Sequence, residues 1–258
     1  MVVAVIQARM GSTRLPGKVE KLILGKPMLA HQIERVKHAK LVDKIVIATT
    51  NKTEDDKVEQ IAKECGVACF RGSEKDVLDR FYKAAKGAGA GVVVRLTGDC
   101  PFSDPNVIDE VIQFFLDSGI DDTGTPENYP EGFDTEVFSF IALEKAWNEA
   151  QKPSEREHVT PYLYNHPEIF KVERLKVGKL YQGNEDISKY HWSVDEKQDF
   201  EFATKIFERL YPENKLFLMN DILEVIRKEP ELLEINKGFT GYEGYQKSLK
   251  EDEEHAKK

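Results

Sequence analysis

Three cations, two hydroxyls and two glycines crowd into the stretch Arg9-Met-Gly-Ser-Thr-Arg-Leu-Pro-Gly-Lys18. The cations are Arg9, Arg14 and Lys18, the hydroxyls Ser12 and Thr13, and the glycines Gly11 and Gly17. Glycine lets the backbone approach an anion closely, and successive amides can form a nest around one. Arginine meets phosphate oxygens through its fork, and lysine adds a point charge. This donor density suits a polyphosphate, whose charges must be offset before a nucleophile can approach it. Two familiar phosphate loops are excluded by spacing. Gly11 and Gly17 stand one residue too far apart for a P-loop, and Val19 follows Lys18 where that loop needs a hydroxyl. The close-set glycines of a dinucleotide-binding turn are also absent. By itself such a basic turn reads equally as a solvated surface feature. Its position directly after an apolar run is what favours binding.

Two carboxylates could act opposite this loop. Leu96-Thr-Gly-Asp-Cys-Pro101 leaves an apolar run through a glycine and ends at a proline, which sets Asp99 at the end of a strand. Val194-Asp195 repeats that arrangement later in the chain. Magnesium favours one or two carboxylates completed by phosphate oxygens and water, so Asp99 and Asp195 are the candidate metal ligands. Taken singly, Asp99 reads as a turn residue and Asp195 as a helix cap. Cys100 has no base near it in sequence and reads as a small buried thiol, and Trp192 reads as core.

The elements that must position these groups follow from hydrophobic periodicity. Val2–Ile6, Ile45–Ala48, Val67–Phe70 and Val92–Leu96 are short apolar runs that predict buried strands. Between them, Leu29–Val36, Asp56–Cys65 and Val77–Ala85 carry helical spacing, and Asn106–Leu116 follows with Pro105 suited to its first turn. Such alternation predicts a three-layer α/β fold with a mostly parallel sheet covered on both faces. Ligands in such sheets bind at the carboxyl ends of strands, which singles out the loops after Gln7 and Thr97. Beyond Ile120 the pattern breaks. Residues 121–132 form a long Asp-, Gly- and Pro-containing loop, and Thr135–Phe140, Ile169–Leu175 and His191–Val194 resemble strands. Leu143–Ala150, His158–Asn165, Phe200–Leu210 and Ile222–Ile226 look helical. With no repeat or linker, the expectation is one domain over residues 1–248. Residues 121–192 are expected to form an inserted lobe for acceptor or dimer contacts, and 249–258 a charged tail.

Composition narrows the partners. The 258-residue chain is 40% hydrophobic and 32% charged, ordinary values for a globular protein. Its net charge of −9, from 37 basic and 46 acidic residues, argues against nucleic-acid binding. Cys65, Cys69 and Cys100 are an odd set with no CxxC spacing, which argues against zinc and a disulfide framework. No apolar run is long enough for a membrane span or signal segment, so a cytoplasmic protein is expected.

Taken together, Gln7–Lys18, Gly25-Lys-Pro-Met28, Arg71-Gly-Ser-Glu-Lys-Asp-Val-Leu-Asp-Arg80, Arg95–Pro101, Gly132–Phe138, Glu155–Pro161 and Trp192–Asp195 resemble, in order, the motifs of the CMP-sugar synthetases. That cytidylyltransferase family includes the CMP-Kdo and acylneuraminate enzymes, and the likeness is greatest to its spore-coat polysaccharide biosynthesis protein F (SpsF-like) branch. The resemblance implies a Rossmann-like nucleotide-diphospho-sugar-transferase fold. It also implies transfer of CMP from CTP to a sugar acid or small phosphorylated acceptor, with pyrophosphate released, for surface polysaccharide or glycan precursors. Carried over by position, Ala8, Arg9, Gly11, Ser12, Arg14 and Lys18 would meet the triphosphate and Arg71 the base or ribose. Asp99 and Asp195 would hold Mg2+, and Arg14, Lys18, Asp99 and Asp195 would be catalytic. Acceptor contacts are expected from Glu136, Arg156, His158 and Thr160, with Asp134 as a further candidate. A homodimer is implied as well. The chain departs from the Kdo enzymes in having Cys100-Pro101-Phe102 after Asp99, and in its Glu155–Thr160 segment, so the acceptor stays open. Two rivals are a nucleotide-sugar glycosyltransferase, whose DxD-like pair Asp99 lacks, and a non-catalytic nucleotide-binding module.

Overall fold

The computed structural model of the chain describes residues 1–237 together with Leu249 and Asp252. The rest of the expected C-terminal tail lies outside the described residues. The strands are β1 (Val2–Gln7), β2 (Leu22–Ile23), β3 (Lys26–Pro27), β4 (Lys44–Thr50), β5 (Ala68–Gly72), β6 (Val92–Thr97), β7 (Asp122–Gly124) and β8 (Glu136–Ser139). The α-helices are α1 (Met28–Val36), α2 (Asp56–Glu64), α3 (Val77–Ala88), α4 (Pro105–Ser118), α5 (Phe140–Glu149), α6 (Pro153–His158), α7 (Pro161–Tyr164), α8 (Lys197–Leu210) and α9 (Met219–Lys228).

Six strands form one sheet in the order β5-β4-β1-β6-β8-β7, while β2 and β3 make a small separate hairpin. The four strands β5, β4, β1 and β6 are mutually parallel, and β8 and β7 add antiparallel at the edge. The central strands β1 and β4 are buried along nearly their whole length because both faces are covered, while β6 carries Arg95 and the edge strand β5 carries Arg71. Ala4, Ile6, Val94 and Leu96 face a core shared with α1, α2, α4, α8 and α9. Val3, Val5, Val93 and Phe138 face the other, built with α3, α5 and α7. Each fully buried Ile or Val contributes about 1.5–3 kcal/mol of transfer free energy, which fixes the register of every strand.

The chain winds outward from β1 to β4 and β5, then returns to the far side of β1 as β6. The switch point therefore lies between β1 and β6, where an α/β sheet opens a binding crevice. The register pairs Gln7 with Thr97, so the loops after both strands leave the same point. Gly98 makes this possible. Its N–H donates to Gln7 O at 2.8 Å, and a Cβ there would lie 2.9 Å from both Gln7 O and Ala8 Cβ.

Beyond β6 the structure differs from several sequence expectations. Within the expected 121–132 loop, β7 pairs with β8, so part of the 121–192 segment joins the main sheet. Neither Ile169–Leu175 nor His191–Val194 forms a full strand; each makes one isolated parallel bridge, Val172 with Asp122 and His191 with Glu131. The reason is where their backbone groups go. Trp192 N–H donates to Glu131 O at 2.8 Å and Val194 N–H to Asp99 O at 2.8 Å, two different loops. The single helix expected over 158–165 is instead α6 and α7, broken at Val159, whose φ of 75° is rare for a β-branched residue. Trp192 is buried as expected, edge-on to Phe102 and Phe133. Among the described residues, no helix is long and apolar enough to cross a membrane.

Candidate functional site

The loop after β1 is fastened from below. Asp55, fully buried, accepts the Met10 N–H at 2.7 Å and the Thr50 hydroxyl, tying the loop to the end of β4. Met10 O in turn accepts from Ser12 N (2.8 Å) and Gly17 N (3.0 Å), which closes the loop on itself. Leu15 and Val19 are buried in the core and anchor its far end. With those side chains inward, Thr13 and Arg14 are exposed and Ser12 and Lys18 are half-buried.

Lys18 runs under the loop to the strand ends. Its Nζ donates to Asp99 Oδ2 at 3.0 Å, Asp195 Oδ1 at 3.1 Å and Val194 O at 2.8 Å. Burial opposes the ammonium charge, but Asp99 and Asp195 outweigh it and hold the Lys18 pKa above its ordinary value. Burial likewise opposes charge on Asp99, yet Lys18 and the Thr97 hydroxyl draw that carboxyl down to about 2. Arg14 Nη2 reaches Asp195 Oδ1 at 2.8 Å, so one carboxylate oxygen is shared by two cations of the loop. Cys100, next in chain, is buried with its thiol pushed well above its usual range, which leaves it neutral beside Asp99.

A second network holds Asp195 from behind. Asp199, in the first turn of α8, accepts the N–H groups of Asp195 (3.0 Å) and Glu196 (2.8 Å). The His191 ring lies between Glu131 (2.8 Å) and Asp199 (3.6 Å). Burial works against its protonation, but hydrogen bonds to Asp199 and Glu131 push its pKa up to about 10. Ser193 Oγ donates to Asp195 Oδ2 at 3.3 Å. Gly132 lets Glu131 approach, since its φ is 104° and a Cβ would lie 2.6 Å from Ser193 N and from Trp192 C.

Further along the cleft, Asp134 accepts the Gly132 N–H at 2.9 Å. The residue itself is exposed at the surface. Desolvation by its neighbours, together with nearby Glu131, Asp99 and Glu136, pushes its carboxyl up to about 6. Glu136, on the same side of the segment, pairs with Arg95 of β6 and accepts the Thr160 hydroxyl at 3.0 Å.

A sequence model of the cytidylyltransferase family matches residues 3–237. The chain belongs to the cytidylyltransferase family. An uncharacterised protein of Methanocaldococcus jannaschii is 38% identical over 98% of this chain and 99% of its own length. The spore coat polysaccharide biosynthesis protein SpsF of Bacillus subtilis is 36% identical over 80% of this chain and 85% of its own. The solved structure of a cytidylyltransferase from Leptospira borgpetersenii superimposes with a TM-score of 0.82 at 36% identity, covering 93% of this chain and 98% of the other.

In this cytidylyltransferase the structure brings Arg14, Lys18, Asp99 and Asp195 into one contact cluster, with Gly11 and Ser12 on the loop above it. Arg9 lies to one side, 3.6 Å from Glu74. Ala8 is buried and its N–H donates to Ala48 O at 3.2 Å, so it shapes the loop base. Arg71 donates to Thr50 O, Lys52 O, Asp56 and Glu59, which staples β5 to the end of β4 and to α2. Arg156 is engaged in the same way, its fork on Asp76, the N-cap of α3, and on Trp147 O. Glu136 and Thr160 do meet, and His158 is adjacent, with burial holding its pKa below the ordinary value.

Asp55, Glu131, His191, Asp199 and Arg95 were not singled out from sequence. Asp199 had a signal, because an acidic residue three after Glu196 at a helix start is a capping pattern. Arg95, a charge inside the apolar run Val92–Leu96, was another. Asp55 and Glu131 act across long sequence separations and carry no local signature.

Proposed function

We propose that this cytidylyltransferase moves CMP from CTP to a small acidic sugar or phosphorylated acceptor, releasing pyrophosphate, in the synthesis of a surface polysaccharide or glycan precursor. The observation that carries this reading is the single ammonium of Lys18 shared by Asp99 and Asp195 beneath the basic loop. It sets a cation and two carboxylates at the switch point, the combination a triphosphate and its metal need. The name of the Bacillus relative supports the polysaccharide setting.

Asp99 and Asp195 converge on one cation position, which fits a divalent metal completed by substrate oxygens. Among the described residues no group of three or more His, Cys, Asp or Glu side chains could hold a metal, so such an ion would depend on the triphosphate. Asp99 and Asp195 would hold magnesium. When bound, that ion neutralises charge at the α-phosphate and helps orient the attacking oxygen.

The remaining work falls to the chain's own groups. Arg14 and Lys18 leave their carboxylates for the β- and γ-phosphates and offset the charge that builds on departing pyrophosphate. Asp199 and Ser193 keep Asp195 in place while its cations move. The acceptor lies over Asp134 and Glu136 and attacks the α-phosphorus in line. If it presents a hydroxyl, Asp134 has a pKa suited to taking the proton near neutral pH. A phosphate monoester needs no such base.

The test is pyrophosphate release on mixing the enzyme with magnesium, each of the four nucleoside triphosphates, and a panel of sugar acids and phosphorylated polyols. The reading expects release with CTP and an anionic acceptor. Release with UTP or GTP alone would sink the cytidylyl assignment, and no release with any pair would favour a non-catalytic nucleotide-binding role.

A further inference from the structure

The loop between Arg9 and Lys18 meets a second pair of carboxylates, on a side that the reaction above does not use. Glu74, on the connection between β5 and α3, places Oε1 2.6 Å from Lys52 Nζ and 3.6 Å from Arg9 Nη1. Lys52, just beyond β4, also comes within 4.0 Å of Glu54 Oε1. Both carboxylates reach Gly11. A Cβ built on that glycine would lie 3.2 Å from Glu54 Oε1 and 3.8 Å from Glu74 Oε1, so both oxygens stand against the loop's backbone.

These carboxylates differ from Asp99 and Asp195, which can exchange Lys18 for a metal ion. Glu54 and Glu74 front the glycine on which a phosphate is expected. Carboxylate and phosphate oxygens compete for the same donors, and like charges in contact repel. One of the two has to leave. The backbone around them decides how. Asp55, next to Glu54, holds the Met10 N–H at 2.7 Å. Beside Glu74, Ser73 O accepts from Arg80 Nη1 at 2.6 Å, and Ser73 Oγ accepts the Asp76 N–H at 3.0 Å. The main chain is pinned, while the side chains of Glu54 and Glu74 stay 49% and 31% exposed. Release is therefore a rotamer change, which is fast, so the contact lowers affinity without slowing entry.

We propose that Glu74, seconded by Glu54, is an internal counter-ion that caps the phosphate loop in the free enzyme, and that Lys52 is a further nucleotide-binding cation held back by it. When Glu74 turns away, Lys52 and Arg9 are released to the incoming polyphosphate. This rests on the nucleotide reading above and adds a binding residue and an autoinhibitory contact to it. The same pattern runs through the rest of the loop. Lys18 is held by Asp99 and Asp195, and Arg14 by Asp195, until substrate oxygens replace them. Exposed ion pairs are individually weak, so the cap costs only a few-fold in affinity. The sign of its removal is diagnostic. A carboxylate that merely positioned Arg9 and Lys52 would weaken binding when removed, whereas a competing one strengthens it.

The experiment is isothermal titration of CTP, and separately of inorganic tripolyphosphate, into wild type and variants in magnesium buffer. Glu74→Gln keeps the size of the side chain and removes its charge at an exposed position, so the fold is preserved. It should bind both ligands roughly 3- to 10-fold more tightly than the wild type. Adding Lys52→Met to Glu74→Gln should take that gain back. Equal or weaker binding by Glu74→Gln would overturn the cap, and a double variant as tight as Glu74→Gln would overturn the role of Lys52. Tighter tripolyphosphate binding with no CTP binding would uphold the cap and sink the nucleotide reading. CTP binding that is indifferent to Glu74 would sink the cap and leave that reading standing. No binding of either ligand to either protein would overturn both.

Discussion

Replacing Lys18 by methionine separates two roles of one ammonium, the pairing seen in the structure and the proposed contact with the triphosphate. In the free enzyme Lys18 compensates Asp99 and Asp195, and in the reaction it is expected on the triphosphate. Lys18→Met keeps the length of the stem and removes the charge. The Asp99 carboxyl, held at about 2 by Lys18 and Thr97, would return toward or above its ordinary 3.8. At 1.36 kcal/mol per pKa unit, this removes about 2 kcal/mol of stability at neutral pH. The sign follows from a depressed carboxyl. Its stabilisation is present above the unfolded pKa and is lost as pH falls through the folded one, so the gap between wild type and variant should close between about pH 4 and pH 2. Magnesium should act unequally on the two proteins. It must displace Lys18 in the wild type but meets two uncompensated carboxylates in the variant, so it should raise the variant's melting temperature more. Catalysis should fall about 100- to 1,000-fold, the usual effect of losing one donor to developing charge. Denaturant melts across pH with and without magnesium, together with pyrophosphate release, test all of this. A variant as stable as the wild type without metal, or equal stabilisation of both by magnesium, would refute the reasoning.

Three further outcomes follow from the supporting structure. Gly132→Ala sets a Cβ 2.6 Å from two backbone atoms at a φ of 104°; it should cost about 2–4 kcal/mol in urea melts and weaken catalysis by shifting Asp195, and an unchanged midpoint would contradict it. His191 has a raised pKa of about 10, so its stabilisation is complete below about 6.5 and disappears as pH rises through 10. His191→Gln should therefore be less stable by about 3 kcal/mol at pH 6 and nearly equal to wild type above pH 10, as read by thermal melts. For a hydroxyl acceptor, kcat/KM should fall as pH drops through about 6, the Asp134 value, and Asp134→Asn should flatten that limb; a profile identical in both would remove Asp134 from the proton's path.

How much of this was legible in advance depends on whether a feature is local. The four parallel strands show as short, largely apolar runs, their helices as periodic apolar patterns, and the loop after β1 as a dense patch of donors. Asp99 could be placed at a strand end from flanking residues alone, whereas the strand expected before Asp195 is only an isolated bridge at His191. Their meeting on Lys18 could not be read locally, because it depends on the Val194 N–H finding Asp99 O across the chain. The edge of the sheet was harder. The strand β7 is three residues long, and the segments around Val172 and Trp192 send their backbone bonds to loops instead of a ladder. For Arg71 and Arg156, residue type alone does not separate a structural guanidinium from one that meets a ligand. A guanidinium matches a phosphate and a neighbouring aspartate equally well, and here both are held by carboxylates of the fold.

The central claim is that the loop from Arg9 to Lys18 receives a triphosphate directly above Asp99 and Asp195. A crystal of the enzyme with CTP and magnesium tests it most directly. The account predicts phosphate density against Gly11, Ser12, Arg14 and Lys18, with Lys18 Nζ drawn away from the two carboxylates. Density elsewhere on the molecule, or a bound nucleotide with Lys18 still seated between Asp99 and Asp195, would contradict it.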